Sequence, residues 1–139
     1  MGAHMVLNKT RHATYDIKLH IIFVTKYRKQ IFNNEMLILI KEVFKTLLNN
    51  NGCTLIEYNG EQDHVHILIN LHPTISISKL INVLKGVSSR RMQQQYPGLT
   101  QIYYGFNIGL WSRAYYVSSV GGVNLETLKK YIQKQNHPL

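Results

Sequence analysis

The sequence predicts an α+β fold of the ferredoxin-like, RRM-like class: an antiparallel sheet with two helices on one face, followed by one further carboxy-terminal helix. The order of periodicities predicts it, because segments alternating with period two and segments with apolar residues at helical spacing succeed one another as strand, helix, strand, strand, helix, strand. Turn-forming pairs punctuate the chain at Asn51-Gly52, Asn59-Gly60, Pro97-Gly98 and Gly121-Gly122. The length of 139 residues suits one domain with its own core, and no internal repeat or linker interrupts it. Met1 to His4 reads as a cloning remnant before a natural start at Met5, so a single domain over 5–139 is expected.

The first strand is expected over 15–25, where Tyr15, Ile17, Leu19, Ile21 and Phe23 make one apolar face and Asp16, Lys18, His20, Ile22 and Val24 a mixed one. After the basic turn 26–29, Asn33 or Asn34 caps a helix whose stripe is Met36, Leu37, Ile40, Val43, Phe44, Leu47 and Leu48, ended by Asn51-Gly52. Strands over 53–58 and 62–71 read as a hairpin turned by Asn59-Gly60, since that pair tolerates positive φ. A second helix begins near Ser76, carries Ile77, Leu80, Ile81, Leu84 and Val87 on one stripe, and runs to about Gln95. The aromatic-rich stretch 101–120 holds the last strand or strand pair. Gly121-Gly122 is a hinge before a final helix capped by Asn124, running to about Gln135. Two helices then cover one sheet face and leave the other open.

Charge narrows the partner. Against 7 Asp+Glu stand 16 Lys+Arg, a formal net charge of +9, and such a field concentrates polyanions and speeds their encounter, although surface charge also serves solubility. The one cysteine, Cys53, lies in an apolar run, which excludes an internal disulfide framework and suits a reducing, cytoplasmic setting. No run of about 18 apolar residues is present, and no leader pattern.

The chemistry sits in two places. In the strand 62–71, His64 and His66 are two residues apart and share a face, opposite Val65, Ile67 and Ile69, so two imidazoles project side by side. Asp63 before them reads as a turn residue or as a group that orients a neighbour. In the last helix Tyr131 and Gln135 are four residues apart on one face, on the shoulder of the stripe Leu125, Leu128 and Ile132. Each has an ordinary reading: hydrogen-bonded strand histidines, a half-buried tyrosine with a wet hydroxyl, a surface amide. Together they make chemical sense, because two neutral imidazoles and an amide oxygen give a metal three ligands with positions left for a phosphate oxygen. Tyrosine has a free pKa of about 10, so its phenolate leaves phosphorus more readily than a sugar alkoxide does. Lys130 and Lys134 beside it favour phenolate and phosphate charge.

Over nearly the whole natural chain the sequence resembles the single-tyrosine HUH transposases of the smallest bacterial insertion sequences, relatives of the REP-associated tyrosine transposases. The resemblance rests on the leading strand 15–27, on Asp63-His64-Val65-His66-Ile67-Leu68, on Leu84-Lys85-Gly86-Val87-Ser88-Ser89-Arg90-Arg91, on 110–121, and on Tyr131-Ile132-x-x-Gln135. It implies that His64 and His66 are the metal-binding pair, Tyr131 the nucleophile and Gln135 the third ligand. It also implies a homodimer in which the histidines of one subunit work with the tyrosine helix of the other, pivoting at Gly121-Gly122. Magnesium or manganese is the metal it implies, where imidazole ligation alone points to zinc or manganese. The implied substrate is single-stranded DNA with a hairpin near each element end, cleaved and rejoined through a 5′-phosphotyrosine. Lys79, Lys85, Arg90, Arg91 and Arg113 are candidate backbone contacts, with Tyr103, Tyr104, Tyr115 and Tyr116 for stacking or packing, and Trp111 assigned to the core or an interface.

Other readings of the same residues are a non-catalytic RRM-like nucleic-acid module, a metallo-hydrolase with a water nucleophile, and a domesticated relative that processes chromosomal repeats. Metal-independent binding without cleavage marks the first, and free products without a protein adduct mark the second.

Overall fold

The computed structural model describes residues 8–9, 12–106 and 108–119. The expected hinge at Gly121-Gly122 and the final helix, with Tyr131, Gln135, Lys130 and Lys134, lie outside the described residues.

A run of apolar residues with few interruptions forms the central strand. Strands β1 (Asn8–Lys9) and β2 (Thr14–Tyr15) form a small separate ladder, and β3 (Lys18–Thr25) is the middle of the main sheet. The single strand expected over 15–25 is therefore broken at Asp16 and Ile17, a division that alternation alone does not reveal. From Ile21 to Thr25 every residue of β3 is buried, so both faces of this strand are covered. That is the behaviour of an inner strand, in which apolar residues of both parities find cover.

Asn33 caps α1 (Asn34–Asn50), its Oδ1 accepting the Met36 N–H at 2.9 Å. The helix buries Met36, Ile40, Val43, Phe44 and Leu48, and the Phe44 ring meets Phe23 edge-on at 5.6 Å. Gly52, at φ 72°, then turns the chain in the left-handed region that suits glycine.

The hairpin differs from its sequence reading. β4 (Thr54–Gly60) runs through Asn59-Gly60, and the turn is Glu61 to Asp63, ahead of β5 (His64–Asn70). Register explains the shift: Gly60 pairs with Val65 and Asn59 with His66, and a bulge between Leu55 and Glu57 turns Tyr58 toward the core. At Gly60 an added Cβ would lie 2.5 Å from a Leu37 methyl, so close approach to α1 fills the role there that positive φ was expected to fill.

Ser76 caps α2 (Ile77–Gln95), which buries Leu80, Ile81, Leu84, Ser88, Ser89 and Met92. Of the expected stripe, Ile77 is exposed and Val87 half-buried; the inner face is continued instead by two serines. A short helix, α3 (Leu99–Tyr104), occupies the beginning of the stretch expected to be strand, and β6 (Trp111–Ser119) follows. The main sheet has the order β4-β5-β3-β6, antiparallel throughout, which is the split βαβ topology expected. α1 and α2 pack on the face that carries Leu19, Ile21, Phe23, Val65, Ile67 and Ile69.

Candidate functional site

Register places the two histidines. His64 pairs with Val24 and His66 with Ile22, while Val65, Ile67 and Ile69 point into the helix-covered core, so both imidazoles project from the second sheet face as expected. Contrary to expectation, that face is not open. Ile22 and Val24 have no exposed surface and Leu68 has 6%, so the histidines are half-buried on a largely apolar surface. Continuous apolar sequence in β3 is the physical reason: Ile22 and Val24 lie among the residues of the mixed face, yet need cover as much as the core face does.

Asp63 is more than a turn residue. Its carboxylate lies 2.8 Å from His64 Nδ1 through one oxygen and accepts the Arg28 Nε–H at 2.6 Å through the other. Burial, the largest single influence, pushes this carboxyl up; the hydrogen bonds and charges of His64 and Arg28 together outweigh it and hold the group below its ordinary value. An ionised carboxylate only accepts, so His64 donates to it from Nδ1.

His66 has a different neighbour. Its Nε2 lies 2.9 Å from His20 Nδ1, and the rings stack at 5.1 Å between centroids. Burial, aided by His20 and His64 and opposed by Glu57, lowers the His66 pKa, which favours the neutral imidazole that metal coordination requires. Among the described residues no three His, Cys, Asp or Glu side chains converge into a full ligand set. His64 and His66 could supply two imidazole ligands to a divalent cation.

The candidate DNA contacts fall into distinct environments. Lys79, Arg90 and Arg91 are exposed on α2, and Arg113 is exposed on β6. Lys85 is half-buried and its ammonium donates to the Ser112 carbonyl at 2.7 Å and the Arg113 carbonyl at 3.3 Å. Burial, and then the Lys26 charge, lowers its pKa. Tyr103 and Tyr115 are exposed, with the Lys85 ammonium 5.9 Å from the Tyr115 ring centroid. Tyr116 is half-buried, as is Tyr104, whose hydroxyl donates to the Leu110 carbonyl. Trp111 is buried against Phe23 and Phe32, in keeping with its expected place in the core.

Residues 13–135 match the family described as Transposase IS200 like. This chain belongs to the IS200-like transposase family. The ISDra2 transposase TnpA of Deinococcus radiodurans is 32% identical to it over 130 residues, spanning 94% of this chain and 91% of that one. The transposase for insertion sequence element IS200 of Salmonella typhimurium is 32% identical over 124 residues, 89% of this chain and 80% of its own. A crystal structure of a Deinococcus radiodurans protein described as a transposase superposes with a TM-score of 0.84 at 30% identity, covering 94% of this chain and 99% of that chain. The REP-associated tyrosine transposase bound to a REP hairpin shares the fold at a TM-score of 0.54 and 8% identity, over 90% and 68% of the two chains. An IS200-like transposase is a DNA-cleaving enzyme by family, and no helix among the described residues of this one is long and apolar enough to cross a membrane.

Within this transposase, sequence reasoning reaches the histidine pair and misses two partners. By sequence His20 is one residue of a mixed face and Arg28 part of a basic turn. The alternation of β3 puts His20 on the histidine face, a signal present in the sequence. Nothing in the spacing of Arg28 and Asp63, 35 residues apart, announces their contact.

Proposed function

We propose that this transposase cleaves and rejoins single-stranded DNA through a covalent 5′-phosphotyrosine formed by Tyr131, acting as a cytoplasmic homodimer on strands that carry a hairpin near each element end. The observation that carries the reading is the side-by-side projection of His64 and His66 from one face of β5, with Asp63 holding the Nδ1 side of His64. In an IS200-like transposase, that pair is the natural seat for a divalent cation, magnesium or manganese, with Gln135 as the third protein ligand. When bound, the cation supplies charge to a nonbridging phosphate oxygen and offsets the charge that builds at phosphorus.

In the cleavage step the Tyr131 hydroxyl loses its proton and its oxygen attacks phosphorus. A bond forms between that oxygen and phosphorus, the bond from phosphorus to the 3′-oxygen breaks, and the departing oxygen takes up a proton to leave a free 3′-hydroxyl. The phosphotyrosine keeps the reactivity of the cleaved linkage, so the 3′-hydroxyl of another strand reverses the step without an external energy source. Lys130 and Lys134 favour the phenolate form, while Lys79, Arg90, Arg91 and Arg113 contribute charge along the DNA backbone.

The test is to incubate the protein and Tyr131→Phe with labelled hairpin-tailed single strands and magnesium or manganese. The parent is expected to give a protein–DNA adduct that survives denaturation, and the Phe variant none. Adduct formation by Tyr131→Phe at the parental level refutes the nucleophile assignment.

A further inference from the structure

The loop between β3 and α1 is built around the carboxylate that faces His64. Thr25 donates its backbone N–H to the Asp63 carbonyl at 3.0 Å, and its hydroxyl reaches the Lys29 carbonyl at 2.7 Å. At the other end of the loop the Ile31 and Phe32 N–H groups both donate to the Gln62 carbonyl, at 2.8 and 2.9 Å. Between these anchors the chain makes one tight turn over Lys26–Arg28, closed by the Lys29 N–H donating to the Lys26 carbonyl at 3.2 Å, in which Tyr27 and Arg28 adopt φ 57° and 54°. Two consecutive left-handed residues with side chains are unfavourable in any chain, and surrounding contacts must hold them. Through this backbone the Arg28 guanidinium reaches Asp63 Oδ2 at 2.6 Å, leaving Oδ1 directed at His64.

We propose that Arg28 is a positioning residue for the metal site: held by the strained 26–28 turn, it clamps Asp63 so that the carboxylate fixes the ring orientation and Nδ1–H tautomer of His64. The proposal rests on the reading of His64 and His66 as cation ligands. Its physical basis is that a ligating imidazole needs its second nitrogen committed to an acceptor, and that the acceptor itself must be held. A buried carboxylate with only one partner is free to rotate away from the ring; with the charged Arg28 Nε–H bonded to its second oxygen it is not.

The experiment uses the full chain and manganese ion alone, without DNA. Free Mn²⁺ is measured by electron paramagnetic resonance, histidine tautomers by long-range ¹⁵N–¹H spectra, and folding by circular dichroism. Arg28→Gln and Asp63→Asn are expected to weaken Mn²⁺ binding about 10- to 100-fold while remaining folded, the range typical of partners to metal-ligating histidines. In Asp63→Asn a side-chain amide N–H turned toward the ring favours the opposite tautomer, so this variant also moves the His64 resonances. Arg28→Lys, which keeps the charge without the Nε–H donor, recovers part of the loss. Folded Arg28→Gln and Asp63→Asn proteins that bind Mn²⁺ within about twofold of the parent, with His64 unchanged in tautomer, overturn the proposal and leave the contact as a loop staple. Parental Mn²⁺ binding that persists in His64→Ala sinks the metal reading instead. The tautomer spectra need no metal, and they still decide whether Arg28 and Asp63 set the His64 ring.

Discussion

Removing the Ser88 hydroxyl should expose how the end of the sheet is tied to α2. Ser88 is wholly buried, and its Oγ accepts the indole N–H of Trp111 at 2.9 Å while donating to the Lys85 carbonyl at 3.2 Å. Next to it, the Ser89 hydroxyl accepts the Leu110 N–H at 3.1 Å, so two consecutive hydroxyls hold the residues at which β6 begins. Ser88→Ala leaves the indole N–H of a tryptophan that is 4% exposed without an acceptor. An orphaned buried donor costs about 1–3 kcal/mol. In a Trp111→Phe background no donor is orphaned, and the same change should cost about 0.5 kcal/mol or less. The expected coupling is therefore about 1–2 kcal/mol. Urea unfolding of the four proteins by circular dichroism measures it, and because the chain has one tryptophan, Ser88→Ala also reports directly through a shifted Trp111 emission. A coupling within about 0.3 kcal/mol of zero, the scatter of independent sites, would refute the argument that this hydrogen bond anchors β6.

Three further outcomes follow from local geometry. Asn33→Ala should lose about 1 kcal/mol, because Oδ1 then no longer caps the Met36 N–H; thermal unfolding that matches the parent contradicts the assignment of the cap. Gly98→Ala should cost about 1 kcal/mol from backbone alone, since φ is 80° and an added Cβ meets nothing within 4 Å; a neutral result means the turn relaxes out of the left-handed region. Lys85→Met should lower stability by about 1 kcal/mol through the uncapped Ser112 and Arg113 carbonyls, whereas exposed Lys79→Met should leave stability unchanged and reduce the salt dependence of DNA binding; the reverse pattern, read by urea unfolding and a salt titration of single-strand binding, assigns Lys85 to DNA instead.

Local pattern is informative wherever the chain's own periodicity decides structure. The stripe of α1, the Asn33 and Ser76 caps, and the opposite faces of His64 and Val65 are all set within a few residues, so they can be read directly. The choice between alternatives of equal local quality cannot. Asn59-Gly60 satisfies the chemistry of a hairpin turn, yet the pairing of Gly60 with Val65 carries it into the strand. The stretch 99–104 has residues suited to a strand and forms a helix between two left-handed glycines, Gly98 and Gly105. Ser88 and Ser89 look like an interruption of an apolar stripe, and the reason for their burial stands 21 and 23 residues further on.

What the sequence determined by itself is the order of α1, α2 and the main-sheet strands, the face on which the two histidines stand and the basic character of the chain, because backbone periodicity and formal charge are properties of residues and their near neighbours. What only the tertiary structure decided is the surroundings that give those histidines their chemistry: the Arg28 and Asp63 contact behind His64, the His20 ring against His66, and the burial of Ile22 and Val24 between them. Those depend on register between strands and on a turn folded against its energetic preference. Neither is encoded at any fixed spacing, since the contact is made only when the assembled sheet brings distant segments together.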